Sequence, residues 1–311
     1  IKSDLTKEDL AGMLFDSLRN KIMPLPDDVI VYPAHGAGSA CGKNLSKETV
    51  GILGEQKKTN YALRVDMSRD EFVKEVLDGI LPPPQYFAKN AMMNKTGYEA
   101  FDEVLKKGDT PLTPNEFEAI ANHQGALILD VRHEKDFVKA HIPNSIFIGI
   151  HGGFAPWVGA LIKDIKQPIL LVTPEGKEEH TITRLSRVGF DNVIGYLDGG
   201  IQAWINEGFN TESVHRISAN ELAAKYKSDK DQLIDVRKES EYRAEHVENA
   251  ENKPLSAINE WSSLVGDQHF YIHCAGGYRS MIAASILKKR GIHNFTEISG
   301  GYAAISKSQI P

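Results

Sequence analysis

A nucleophile, a cation and two adjacent glycines stand together in the segment His273-Cys274-Ala275-Gly276-Gly277-Tyr278-Arg279-Ser280. Thiolate is the reactive form of cysteine, and nearby positive charge and backbone N–H groups stabilise it. Arg279 supplies a permanent guanidinium with several donors, and a glycine-containing loop can turn its N–H groups inward around an anion. The spacing predicts that Cys274 is a reactive nucleophile and that Arg279 positions an anionic substrate. The other residues expected to line this loop are Ala275, Gly276, Gly277, Tyr278 and Ser280.

The elements that must position this loop are a strand before it and a helix after it. Phe270-Tyr271-Ile272 is a short apolar run, and a helix is predicted from near Ser280 to Lys289. Such a helix aims its free N–H groups and the positive end of its dipole at the loop. A lone cysteine after a strand is most often an inert core residue. The glycines and Arg279 favour the reactive interpretation.

A repeat of about 100 residues sets the organisation of the chain. Leu112-Thr113-Pro114-Asn115-Glu116-Phe117 is echoed by Ile217-Ser218-Ala219-Asn220-Glu221-Leu222, and Asp-Val-Arg occurs at 130–132 and again at 235–237. Each copy opens with a capping box and continues with short apolar runs separated by helical segments. This alternation is typical of a parallel sheet with helices on both faces. The sequence therefore predicts two tandem α/β domains.

The first copy departs from the second at the reactive loop. Alignment of the strands 169–172 and 270–272 places Thr173 where Cys274 stands, and the residues after it include Glu175, Glu178 and Glu179. Carboxylates would repel an anionic substrate, and no base is evident beside Thr173. This copy is expected to be catalytically silent, with a packing or docking role.

Other polar residues of the copies have structural interpretations. The Asp-Val-Arg segments are expected to orient loops at the carboxyl ends of strands. His246 and His273 are expected at surface or loop positions.

Bulk composition excludes several classes of function. The 311 residues carry a net charge of −6 with no large Lys/Arg cluster, which argues against nucleic-acid and anionic-membrane partners. No apolar run approaches the roughly 18 residues of a membrane span, and no signal-peptide pattern opens the chain. The two cysteines, Cys41 and Cys274, are too few for a disulfide framework or a zinc cluster. A cytoplasmic protein without a cofactor is expected.

Both copies resemble rhodanese domains, the sulfurtransferase family. In the second copy the matching residues are Asp235-Val236-Arg237, the stretch 239–255, the Cys274–Arg279 loop and Gly300-Gly301. The resemblance implies that Cys274 takes sulfane sulfur from thiosulfate or glutathione persulfide as a persulfide. Sulfite or glutathione would accept the sulfur. Related phosphatase-like loops have one residue more than the six from Cys274 to Arg279, so phosphatase or arsenate reductase chemistry is less favoured. A non-catalytic sulfur-sensing or docking module is the third alternative.

The segment before the repeats resembles another fold. Val29-Ile30-Val31-Tyr32-Pro33-Ala34-His35-Gly36 is similar to the final metal-site strand of metallo-β-lactamase-fold enzymes, and the segment 37–44 is similar to the persulfide dioxygenases that are fused to tandem rhodanese domains. In intact relatives, iron would oxidise persulfide sulfur to sulfite, as a step of sulfide detoxification. This chain lacks the His-x-His-x-Asp-His motif, so His35 is only the remnant of a metal site. Cys41 is either a candidate second sulfur-handling thiol or a small buried loop residue.

The resulting organisation has four parts. Residues 1–95 are the C-terminal part of a metallo-β-lactamase (αββα) fold, 96–111 a linker, 112–212 an inactive rhodanese-like domain and 213–311 an active one. The first part is expected to be a fragment of a longer domain that exposes apolar surface. Small sulfur donors and acceptors are the expected partners, and association into a homo-oligomer is left open.

Overall fold

The computed structural model describes residues 5–33, 49–78, 86–227, 230–308 and 310. The chain divides into two compact units, Ile1–Pro83 and Pro84–Pro311. None of the helices in the described ranges is long and apolar enough to cross a bilayer.

The first unit is built around two packed helices. Phe15 and Phe72 meet edge to face with their ring centroids 5.3 Å apart, and Phe72 is fully buried. Many large apolar side chains of the described part of this unit are exposed, Val65 and Tyr32 among them, as expected for it. Its elements are α1 (Lys7–Ser17), a π-helical turn (Leu18–Ile22), the antiparallel strands β1 (Ile30–Val31) and β2 (Gly51–Ile52), α2 (Leu53–Thr59) and α3 (Arg69–Leu77).

The second unit begins with two helices, α4 (Tyr86–Thr96) and α5 (Phe101–Gly108), and continues into the first repeat. The first repeat contains a five-stranded, wholly parallel sheet of order β3-β7-β6-β4-β5. Its strands are β3 (Pro111–Leu112), β4 (Leu127–Asp130), β5 (Ile146–Phe147), β6 (Ile169–Val172) and β7 (Val193–Leu197). Its α-helices are α6 (Pro114–Gln124), α7 (Glu134–Phe137), α8 (Phe154–Leu161), α9 (Glu178–Ser186) and α10 (Gly200–Asn206).

The second repeat contains a second parallel sheet, of order β10-β9-β11-β12-β8, which reproduces the first when read in reverse. The predicted capping boxes open α6 at Thr113 and α11 at Ser218. The strands are β8 (Arg216–Ile217), β9 (Gln232–Asp235), β10 (Glu251–Asn252), β11 (Phe270–His273) and β12 (Phe295–Ile298). The α-helices are α11 (Ala219–Lys225), α12 (Glu239–Ala244), α13 (Ile258–Trp261), α14 (Tyr278–Lys289) and α15 (Gly301–Ile305).

One apolar core runs through both repeats. Helix α14 packs against β5 of the first repeat, and the Phe147 N–H donates to the Ser285 hydroxyl across 3.0 Å. All eight residues from Ser280 to Leu287 are buried. The middle of the helix that follows the reactive loop is therefore enclosed, whereas its first two residues, Tyr278 and Arg279, are half-buried.

Candidate functional site

Cys274 lies between β11 and α14, at the carboxyl edge of the second sheet. Helix α14 begins at Tyr278, two residues before the predicted start. The Gly277 N–H donates to the Cys274 Sγ across 3.1 Å, and the Ser280 hydroxyl lies 3.5 Å from the same sulfur. Gly277 has φ 111°, a left-handed conformation that favours glycine. Cys274 itself is only 1% exposed.

A second helix N-terminus holds the outer side of this loop. The Tyr302 N–H donates to the Cys274 carbonyl across 2.6 Å, and the Ala303 N–H donates to the Ala275 carbonyl across 3.0 Å. The pair Gly300-Gly301 makes this approach possible, because a Cβ on Gly301 would overlap the Cys274 carbonyl oxygen. The repeated Gly-Gly pair thus has a steric function at the reactive loop.

Arg279 is bound to a carboxylate that the sequence did not indicate. Its two terminal nitrogens donate to the two carboxylate oxygens of Glu241, across 2.6 Å and 2.8 Å. These hydrogen bonds lower the pKa of Glu241 to about 2. An anionic substrate that approaches Arg279 therefore meets a guanidinium that Glu241 already binds.

Behind the loop, Asp235 and Arg237 form a buried ion pair, with 2.6 Å between Arg237 Nη2 and Asp235 Oδ2. The same Nη2 donates to the Glu245 carbonyl, so the pair orients the chain after β9 as expected.

The prediction that His273 lies at the surface or in a loop is wrong. It is the last residue of β11 and fully buried, because the sheet is covered on both faces, and burial lowers its pKa. His246 is exposed, as expected.

Glu297 is a polar residue of this site that sequence reasoning missed. It lies on β12 and is fully buried, with one carboxylate oxygen 2.6 Å from the Ser280 hydroxyl and the other 2.6 Å from Arg216 Nε. Burial raises the pKa of Glu297 to about 7. The sequence Phe295-Thr296-Glu297-Ile298 has two adjacent polar residues, so no local pattern indicates that the whole strand is buried.

The other residues predicted to line the loop differ in exposure and in the groups that they contact. Gly276 is exposed and Ala275 half-buried. Tyr278 turns toward the first repeat, where its hydroxyl donates to the Gly149 carbonyl across 2.6 Å and its ring meets Phe147 edge to face. Burial raises the pKa of Tyr278. Its phenol is therefore an anchor between the repeats rather than part of the lining around Cys274.

The corresponding loop of the first repeat has a different chemistry. Thr173 follows β6, is 5% exposed, and donates its hydroxyl to the Glu178 carboxylate across 2.8 Å. The expectation that no base lies near Thr173 is therefore wrong, because α9 begins with Glu178 beside it. Glu178 occupies the position that Arg279 has in the second repeat, which reverses the charge.

One group of side chains in the described ranges could hold a metal ion. His133, Glu134 and His151 place their ligand atoms within 4.8 Å of one another, in the first repeat. The imidazole rings of the two histidines are stacked with their planes 3° apart, so a ring would have to rotate before both nitrogens could face one ion. His35 and Cys41 lie outside the described residues.

Comparison with known proteins assigns both repeats to one family and adds relatives that match about 90 residues each. The family described as "Rhodanese-like domain" matches residues 113–207 and 218–308, more than half of the chain. The protein YqhL of Bacillus subtilis (strain 168) is 33% identical over 87 residues, which are 28% of this chain and 68% of YqhL. Thiosulfate sulfurtransferase GlpE of Pseudomonas savastanoi pv. phaseolicola (strain 1448A / Race 6) is 29% identical over 94 residues, 30% of this chain and 84% of GlpE.

A longer match comes from a solved structure. A metallo-beta-lactamase from Staphylococcus aureus subsp. aureus COL aligns with 63% of this chain at 25% identity and a TM-score of 0.48. The alignment covers 53% of that chain, so the chain described here spans about half the length of that relative.

Proposed function

Because this chain belongs to the rhodanese-like domain family, we propose that it is a sulfurtransferase that carries sulfane sulfur on Cys274. The observation that carries the proposal is the Gly277 N–H directed at Cys274 Sγ, 3.1 Å away. A backbone donor at this place stabilises a thiolate. After transfer it remains close to the negatively charged persulfide.

The proposed reaction has two displacements. In the first, the Cys274 thiolate attacks the outer sulfur of thiosulfate, the S–S bond of the donor breaks, and sulfite leaves with the bonding electron pair. With glutathione persulfide, the glutathione thiolate leaves instead. In the second, an acceptor such as sulfite, cyanide or a thiolate attacks the terminal sulfur of Cys274–S–S⁻ and restores the Cys274 thiolate. Electrons and atoms balance without any cofactor.

The burial of the sulfur favours a small or linear donor. Cys274 is only 1% exposed, whereas Gly276 at the rim of the loop is exposed. A terminal sulfane sulfur can enter where a bulky group cannot. Because Glu241 already neutralises much of the charge of Arg279, a dianion such as thiosulfate gains less attraction here than beside a free guanidinium. Both features support persulfides as donors along with thiosulfate.

We propose that the chain has the four predicted parts and that residues 1–95 are part of a persulfide dioxygenase fold. In relatives with the full metal-ligand motif, iron would supply the oxidation of the transferred sulfur to sulfite. Among the described residues of the first unit, no histidine is present and no metal-binding group is found. These described residues do not supply an iron site, and no step of the proposed reaction uses one.

The test is sulfur transfer from thiosulfate or glutathione persulfide to cyanide or sulfite. We expect Cys274→Ser to reduce turnover to the uncatalysed background. Thr173→Val, at the matching position of the first repeat, should leave turnover unchanged. Mass spectrometry after exposure to donor should place one added sulfur atom on the Cys274 peptide. Turnover that persists in Cys274→Ser would refute the proposal, and hydrolysis of an aryl phosphate that depends on Cys274 would favour phosphatase chemistry instead.

A further inference from the structure

A chain of three side chains leads from Cys274 into the interior of the second repeat. The Ser280 hydroxyl lies 3.5 Å from Cys274 Sγ and 2.6 Å from Glu297 Oε1. Glu297 Oε2 accepts from Arg216 Nε across 2.6 Å. Cys274, Ser280 and Glu297 are all buried. Water therefore has little access to the thiol, and its proton needs a protein group to receive it.

The Ser280 hydroxyl has one proton and so can donate to only one of its neighbours at a time. When Glu297 is ionised, the 2.6 Å contact makes its carboxylate the acceptor, and the lone pairs of Ser280 remain available to the Cys274 S–H. When Glu297 is protonated, the carboxyl O–H donates to Ser280 Oγ. The Ser280 O–H is then free to donate to a Cys274 thiolate. The protonation of Glu297 and the ionisation of Cys274 are thus linked through one hydroxyl.

We propose that Glu297 receives the proton of the Cys274 thiol through Ser280 and thereby generates the thiolate. The Cys274 S–H bond breaks as its proton moves to Ser280 Oγ, and the original Ser280 proton moves to Glu297 Oε1. Before the transfer the group is a thiol and a carboxylate, and after it a thiolate and a carboxylic acid. The total charge is unchanged. Glu297 is a positioning residue, because it acts through Ser280 and does not contact the sulfur.

The charges around Glu297 are consistent with this role. Arg216 on β8 favours the carboxylate, whereas burial and the charge of Glu134 on α7 favour the protonated form. These influences leave its pKa at about 7, so the carboxyl both accepts and releases a proton near neutral pH. One terminal nitrogen of Arg216 is buried without a hydrogen-bond partner among the described residues. This arrangement keeps a positive charge beside the relay in either state.

The experiment measures the alkylation rate of Cys274 by iodoacetamide across pH, in the full chain, with the Cys274 peptide followed by mass spectrometry. Two coupled groups titrate in two macroscopic steps, so the wild-type rate should rise in two steps. Glu297→Gln, which can only imitate the protonated acid, should rise in one. Ser280→Ala should react about tenfold more slowly near neutral pH because a hydrogen bond to the thiolate is lost. Ser280→Thr keeps the hydroxyl and should restore the rate.

Glu251→Gln is the matched control, because it removes a carboxylate from the other end of the same sheet. It should retain the two steps. A single step in the wild type, or profiles of the wild type and Glu297→Gln that coincide, would overturn the inference. An unchanged rate in Ser280→Ala would also overturn it. The wild-type result stands by itself if a variant fails to fold.

The inference rests on the proposed reactivity of Cys274, but alkylation does not require sulfur transfer. A two-step profile in a protein that transfers no sulfur would support the relay and refute only the proposed function. A one-step profile in an active sulfurtransferase would refute only the relay.

Discussion

Alanine at the second glycine of each Gly-Gly pair should have a larger effect on the reactive loop of the second repeat than on the matching loop of the first. Gly200 and Gly301 have nearly the same backbone, with φ 59° and 54°. Their surroundings differ. A Cβ on Gly200 would lie 3.9 Å from the Thr173 carbonyl oxygen, an ordinary contact, whereas a Cβ on Gly301 would overlap the Cys274 carbonyl oxygen and lie 2.8 Å from the Ala275 carbonyl carbon. The same change to alanine therefore has a different cost in each repeat.

The magnitudes follow from these contacts. A left-handed conformation costs an alanine roughly 1–2 kcal/mol relative to glycine, and both variants bear this cost. Gly301→Ala must also displace the backbone of the reactive loop, and overpacking of this kind costs about 1–3 kcal/mol more. We expect Gly200→Ala to lose about 1–2 kcal/mol of unfolding free energy and Gly301→Ala about 2–5 kcal/mol.

Urea denaturation of the full chain measures both losses, and the alkylation rate of Cys274 at one pH reports on the loop itself. Gly301→Ala should change that rate, because its Cβ displaces the carbonyl that the Tyr302 N–H holds. Gly200→Ala should leave the rate as it is in the wild type. Equal losses of stability in the two variants, or an unchanged rate in Gly301→Ala, would refute the steric reasoning.

Two further predictions concern pH and the contact between the repeats. The pKa of Glu297 is raised from 4.5 to about 7, so the folded protein binds more protons between these values. Its contribution to stability is full below pH 4.5 and falls by about 3 kcal/mol as pH rises through 7. Urea denaturation at several pH values should show this fall in the wild type but not in Glu297→Gln. Tyr278→Phe removes the 2.6 Å hydrogen bond to the Gly149 carbonyl and should cost about 1–2 kcal/mol. Tyr302→Phe, which removes only an exposed 3.4 Å contact, should cost much less in the same assay.

The elements of the repeats could be predicted because their signals are local. A capping box needs four consecutive residues, and both boxes open helices where the sequence placed them. The apolar runs before Thr173 and Cys274 form the central strands β6 and β11. The predicted α/β class with two tandem rhodanese-like domains is confirmed by the parallel sheets and by the family match.

The partners of the reactive loop could not be predicted because they are distant in sequence. Glu241 precedes Arg279 by 38 residues, and Glu297 follows Ser280 by 17. The crossovers of the sheet bring Glu241 to Arg279 and Glu297 to Ser280, and no local pattern encodes these contacts. His273 was misplaced for the same reason, since only the covered sheet buries it.

Two residues of the N-terminal part that were predicted from the sequence have no described structure. His35 and Cys41 lie outside the described residues. Their roles stay predictions, as do the limits of the four parts.

The first repeat affects the reactive loop even though its own loop has Thr173 in place of a cysteine. Tyr278 lies between Gly277, which donates to the sulfur, and Arg279, and its hydroxyl is fixed by the Gly149 carbonyl of the first repeat. A Cβ on Gly152 would overlap the Tyr278 ring, so the first repeat is shaped to receive it. Because α14 is also packed against β5, the first repeat restrains both the start and the body of that helix. The first repeat therefore has a structural role at the reactive loop that requires its fold and no chemistry at Thr173.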